Sequence, residues 1–295
     1  MSKTILMLLM TLAYASSTFA TSCQSTLIIG DSQLGWNMDP FLQSSSLNLE
    51  QLRRIPEKSL GFLIYESLIR NCPDQPHYLF AQGSSGVTDW MEEFQTTVPF
   101  LGGSRVILKP DFSFMAKRAA VDISPEEQSY LSIPSMRTLM KWYSPKRVLI
   151  ALSANDWKKS SPEIINLYKS FLKSIRVLLK EDSDCLVQGV AGLDGRYTRS
   201  MRQPGDPIEL TQENVQKLNR AVREAALSEN CQFVDMTSVR PTALDGIHYQ
   251  GDSAREAFLT ILPDLIKTPM RENFSYSKVR IYAKEVQPSV KRDTF

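Results

Sequence analysis

An apolar, β-branched run, Leu27-Ile28-Ile29, ends in Gly30-Asp31-Ser32. Such a run, with no polar alternation, reads as a strand covered on both faces, and Gly-Asp then turns the chain. Ser32 therefore falls at the strand's carboxyl end, the edge at which open α/β sheets bind ligands. A serine on a sharp turn there is a candidate nucleophile, although Gly, Asp and Ser also favour ordinary turns. A serine nucleophile needs a general base, and histidine is the usual one near neutral pH. The chain has two histidines, which narrows the choice. His77 opens an expected strand at its amino end, the wrong edge for Ser32. His248 follows a strand's carboxyl end, and Asp245, three residues earlier, can accept a hydrogen bond from the imidazole and stabilise the imidazolium. Acyl transfer also needs donors for a developing oxyanion. The Gly86 N–H, the Asn155 side-chain amide and the Ser32 N–H can supply them; taken singly, Gly86 and Asn155 read equally well as turn residues.

The elements that must position these groups follow from periodicity. Leu49 to Arg70 has helical spacing, with Leu60, Leu63, Ile64 and Leu68 as its buried stripe, and Asn71-Cys72-Pro73 ends it. Further strands are expected at His77–Gln82, Lys146–Leu152, Leu186–Val190 and Phe233–Met236. A helix is expected over Ser135–Tyr143. A second is capped by Ser161, with Pro162 in its first position, and runs to about Lys180. A third is capped by Thr211 and ends near Ser228, and a last one spans Ser253–Ile266. Residues 96–134 read as an insertion holding a possible extra strand, Arg105–Leu108, and 268–295 as a polar tail. The alternation implies a parallel sheet with helices on both faces.

Gly30-Asp31-Ser32, Ser85-Gly86-Val87-Thr88, Asn155-Asp156 and Asp245-x-x-His248, in that order over residues 25–267, resemble the blocks of the SGNH (GDSL-type) hydrolases. The resemblance implies a flavodoxin-like three-layer αβα sandwich with a central parallel five-stranded sheet, occupying residues 21–267. It implies esterase, lipase or deacylase activity that needs no metal or cofactor. It assigns Ser32, Asp245 and His248 as the catalytic triad and Ser32, Gly86 and Asn155 as the oxyanion hole. Ser153 departs from the usual glycine of the third block, and Gln33 from a frequent leucine.

Trp36, Trp90 and Trp157 lie beside these blocks. They are candidate platforms for the apolar faces of sugar rings, against the alternative of core packing. Arg196, Arg199 and Arg202 can bind a carboxylate or phosphate, or can simply be solvated. A net charge of +2 points to neither nucleic acid nor an anionic membrane as partner, and no stretch is long enough to span a bilayer. Residues 1–20 have the charge, apolar run and small residues of a signal peptide, cleaved after Ala15 or Ala20. The expected function is an exported, periplasmic or secreted, serine esterase deacylating carbohydrate or cell-wall esters. A lipase or short-chain carboxylesterase, a sugar O-acyltransferase, and a carbohydrate-binding protein on an inactive scaffold are the alternatives.

Export makes the four cysteines candidates for disulfides. Ala20-Thr21-Ser22-Cys23 lacks the usual apolar residue three before the cysteine, which disfavours a lipid-anchored Cys23. All four cysteines lie near strand starts, hence on the edge opposite Ser32. A flavodoxin-like strand order of 2-1-3-4-5 makes the first two strands neighbours, and likewise the last two. Cys23–Cys72 and Cys185–Cys231 are the pairs this topology favours.

Overall fold

The computed structural model describes residues 23–36, 58–83, 85–91, 105–109, 135–193, 211–242, 248–249 and 251–265. The expected leader, the tail after 267, Asp245 and the three loop arginines lie outside them, as does most of the expected insertion. The described strands are β1 (Thr26–Gly30), β2 (His77–Gln82), β3 (Arg105–Lys109), β4 (Arg147–Ala151), β5 (Asp184–Gln188) and β6 (Gln232–Val234). They form one sheet in the order β3-β2-β1-β4-β5-β6, parallel throughout. The five expected strands thus stand in the expected order. The correction is a sixth: the possible extra strand of the insertion pairs with β2 and widens the sheet.

Side chains alternate across a strand, and β1 divides its core accordingly. Leu27 and Ile29 face one apolar cluster, built with α3 (Val87–Met91), α4 (Met136–Tyr143), α5 (Ser161–Arg176) and α6 (Gln212–Ser228). Ile28 faces the other, built with α1 (Ser32–Gly35), α2 (Leu60–Asn71) and α7 (Gly251–Leu265). That is the three-layer αβα sandwich. Both faces are covered, which is why these strands carry no polar alternation.

Helix boundaries follow their caps. The expected helix from Leu49 differs in its described part: α2 begins at Leu60, because the Ser59 hydroxyl accepts the Phe62 N–H at 3.2 Å and Lys58, at φ 64°, leaves the helical region. Its four expected core residues are all buried. For α5 the cap is Ser160 rather than Ser161. Glu163 reaches back to the Ser160 N–H at 2.7 Å, completing a capping box that Ser161 could not make with Ile164. The same helix stops at Arg176, short of Lys180, and buries Ile164 and Phe171, leaving Ile165 at the edge of the core. Thr211 caps α6 as expected, through the Asn214 N–H.

Cys23 is bonded to Cys72 and Cys185 to Cys231, with Cα atoms 5.3 and 4.7 Å apart. Both bridges sit toward the amino-terminal edge of the sheet. Among the described residues no helix is long and apolar enough to cross a membrane.

Candidate active site

Ser32 opens α1, a single turn folded straight back over the end of β1. Gly30 makes the fold-back possible: a Cβ there would lie 2.4 Å from Leu34 Cδ2 and 3.0 Å from the Ala151 carbonyl. Asp31 caps the turn, its Oδ1 accepting the Gln33 N–H at 2.9 Å. Its Oδ2 accepts the Ala154 N–H at 3.2 Å, and its own N–H donates to the Ala151 carbonyl at 3.0 Å. The Gly-Asp-Ser turn is thereby tied to the loop that follows β4. Both the Asp31 and Ser32 side chains are largely buried, at 1% and 7% exposure. Burial pushes the Asp31 carboxyl up to about 7, against the Gln33 hydrogen bond, nearby His248 and the Ala154 hydrogen bond, which all favour its ionised form.

The structure brings His248 to this turn. Its ring stacks on Trp36, the residue that ends α1, with centroids 4.9 Å apart and planes 17° from parallel. Tyr249 is buried beside it, and burial, Asp31 and Glu256, in that order, push its hydroxyl pKa up. His77 lies at the opposite edge, fully buried, its Nε2–H donating to the Cys72 carbonyl at 3.0 Å. Burial pushes its pKa down, with Arg147 adding to the effect and the Cys72 bond opposing it.

Two more loops converge on the same edge. Asn155 and Asp156 lie in the 3₁₀ turn after β4 (Ser153–Asp156), and Ser85 to Val87 follow β2. The Asn155 Nδ2 donates to the Ser85 carbonyl at 2.9 Å, and the Val87 N–H donates to Asp156 Oδ2 at 3.2 Å. The Asn155 amide carries a second hydrogen beyond the one given to Ser85. The Gly86 N–H, by contrast, is bonded in this conformation: it donates to Asp89 Oδ2 at 2.7 Å, as in a capping box at the start of α3.

The tryptophans divide. Trp36 and Trp90 are each 3% exposed, the first against His248 and the second donating its indole N–H to Ser85 Oγ at 3.0 Å. In both, packing rather than an open sugar platform accounts for the ring. Trp157 is partly exposed, with Lys158 Nζ 5.4 Å from its ring centroid. Asp156 stands inside a quoted block with no role of its own assigned to it, and Asp89 directly follows another. A contact across loops, to Val87, distinguishes Asp156 from a turn-forming aspartate, and a local bond to the Gly86 N–H distinguishes Asp89.

No family model matches the chain, and no curated protein matches it in sequence. Solved structures do match in fold. One superposes with a TM-score of 0.52 at 12% identity, covering 82% of this chain and 96% of the other. A carbohydrate acetylesterase family member from Sinorhizobium meliloti gives 0.46 at 15% identity, covering 82% and 97%. The lipase/acylhydrolase from Enterococcus faecalis gives 0.46 at 12%, covering 82% and 95%. The likeness at these identities is one of fold, a three-layer αβα sandwich around a parallel sheet.

Proposed function

We propose that this chain is an exported serine ester hydrolase working through an acyl-enzyme. One observation carries the reading: the histidine remote in sequence stacks on Trp36, four residues from Ser32, at the carboxyl edge of the central strand. Ser32 Oγ attacks the ester carbonyl as His248 takes its proton. The new oxyanion is held by the Ser32 N–H and the Asn155 amide, joined by the Gly86 N–H where Asp89 releases it. Collapse expels the alcohol, which receives the proton from His248. Water, deprotonated by His248, then cleaves the acyl-enzyme and regenerates Ser32. Asp245, outside the described residues, is assigned to orient His248. Two disulfides favour an oxidising compartment. A small acyl group on a carbohydrate is the substrate we assign, with Trp157 the aromatic that retains exposure beside Asn155.

The test is turnover of acetyl and longer-chain aryl esters and of acetylated sugars by wild type and three variants. Ser32→Ala and His248→Gln are expected to lose on the order of 10⁴-fold in kcat, with unchanged circular dichroism. His77→Gln keeps its activity. A folded Ser32→Ala variant with near-normal turnover defeats the assignment, and faster cleavage of eight-carbon than of acetyl esters redirects it to a lipase.

A further inference from the structure

Strands β2 and β4 are not neighbours; β1 runs between them. Their ends are therefore about 9.6 Å apart, twice the usual strand spacing. Any direct contact between their loops has to bridge the end of β1, where the Ser32 turn begins. The bridge is made by two adjacent residues. Asn155 gives one amide hydrogen to the Ser85 carbonyl at 2.9 Å, and Asp156 takes the Val87 N–H at 3.2 Å. Ala154, just before them, is held by Asp31 on the other side.

We propose that Asp156 is a positioning residue, the buried carboxylate that fixes Asn155 and the Gly86 loop relative to each other across the end of β1. This rests on the ester-hydrolase reading above. Asp156 is 1% exposed. A carboxylate buried so far is costly unless its oxygens are satisfied. Here Oδ2 takes the Val87 N–H and lies 3.5 Å from the Tyr168 hydroxyl, and Oδ1 pairs with Lys159 Nζ. The fit to the neighbouring loop is tight. A Cβ at Gly86 would lie 2.9 Å from Asp156 Oδ1, so a larger residue there would press on this carboxylate. Asn155 is itself exposed and keeps its place through one hydrogen bond of its own and through the residues on either side. Ala154 is held by the Asp31 carboxylate, and Asp156 by its own bond to Val87 on the loop after β2. Asp156 touches no reacting atom; it acts through where it holds Asn155 and Gly86. A displacement of about 1 Å in such a group can cost roughly 10²-fold in rate.

The experiment compares Asp156→Ala and Asp156→Asn with wild type, measuring kcat and KM on 4-nitrophenyl acetate, melting temperature, and amide exchange of the segments 85–91 and 153–157. Asp156→Ala is expected to lower kcat by roughly 10–10²-fold with KM within about twofold, and to speed exchange at Val87. Asp156→Asn, whose carbonyl oxygen still accepts the Val87 N–H, falls between the two. A folded Asp156→Ala variant with unchanged kcat, or with raised KM alone, overturns the proposal. Should the alanine variant not fold, the asparagine variant decides on the same readout. If wild type hydrolyses no ester, the ester-hydrolase reading fails by itself. Amide exchange then judges Asp156: faster exchange at Val87 in Asp156→Ala upholds the positioning role, and unchanged exchange ends it.

Discussion

Asp31 stands next to the proposed nucleophile and within electrostatic reach of the proposed base, and its carboxyl is displaced further up than an N-cap aspartate's ordinarily is. Burial raises it to about 7. An acid whose folded pKa is raised binds its proton more tightly in the folded state. Its contribution to stability is therefore full below the unfolded value and is lost as pH rises from about 4 to about 7. A shift of about three units corresponds to at most about 4 kcal/mol across that window. Asp31→Asn cannot ionise. We expect its melting temperature, taken relative to wild type, to climb between pH 4 and 7 and to level off above. Parallel melting curves for the two proteins across that range would show that Asp31 titrates as an ordinary carboxyl. The same substitution places an amide against a backbone N–H, either of Gln33 or of Ala154. The variant is accordingly expected to be less stable than wild type at pH 4.

At the scale of elements, the loops at the carboxyl edge are fixed by short-range capping as much as by contacts between them. Helix α3 is a five-residue turn, and its cap takes the Gly86 N–H that an oxyanion hole would use. Asp89 is only partly buried, so its side chain has room to swing away. Removing it frees the donor at the expense of the cap. Asp89→Ala is expected to lose about 1 kcal/mol of stability while raising kcat for acetyl esters several-fold at near-constant KM. A fall in kcat alongside the lost stability would show instead that Asp89 holds Gly86 in its working position. Trp90, on the same helix, braces Ser85 through its indole N–H, and Ser85 Oγ in turn donates to the Gln82 carbonyl at 2.8 Å. The loop is thus hydrogen-bonded to the strand before it and to the helix after it.

Across the whole molecule the proposed active site and the covalent staples occupy opposite ends of one sheet. Cys185 and Cys231 close a loop of 46 residues, and Cys23 and Cys72 one of 49. On the chain-entropy estimate each is worth roughly 3–4 kcal/mol. Because the bridges lie near the strand starts, breaking them is expected to lower the melting temperature and leave kcat and KM on 4-nitrophenyl acetate unchanged below the new transition. The paired variant Cys185→Ser with Cys231→Ser tests this. Altered kinetics in that protein while it remains folded would mean that the two edges of the sheet are coupled. His77 adds a smaller tie at the same edge through the Cys72 carbonyl.

The amino-acid sequence by itself determined the pattern of the fold. Apolar runs without alternation specify strands covered on both faces, the spacing of Leu60, Leu63, Ile64 and Leu68 specifies one helix face, and Thr211 marks a helix start, because these depend on neighbours within a few residues. It also favoured the partners of the four cysteines, once the flavodoxin-like strand order implied by the resemblance was adopted. Ser32, Gly86, Asn155 and His248 were legible as residues able to do chemistry, and their convergence on one edge followed from their placement after strands. Only the tertiary structure decided how they are held. The Trp36–His248 stack, the Asp156–Val87 bond and the Gly86–Asp89 bond join groups through space or through a choice of rotamer, and local pattern carries neither. Burial likewise separates Trp36 and Trp90 from Trp157, although all three stand beside a motif. Even the cap of α5 turned on which of two adjacent serines could exchange hydrogen bonds with Glu163, a matter of three-residue geometry that identity alone does not settle.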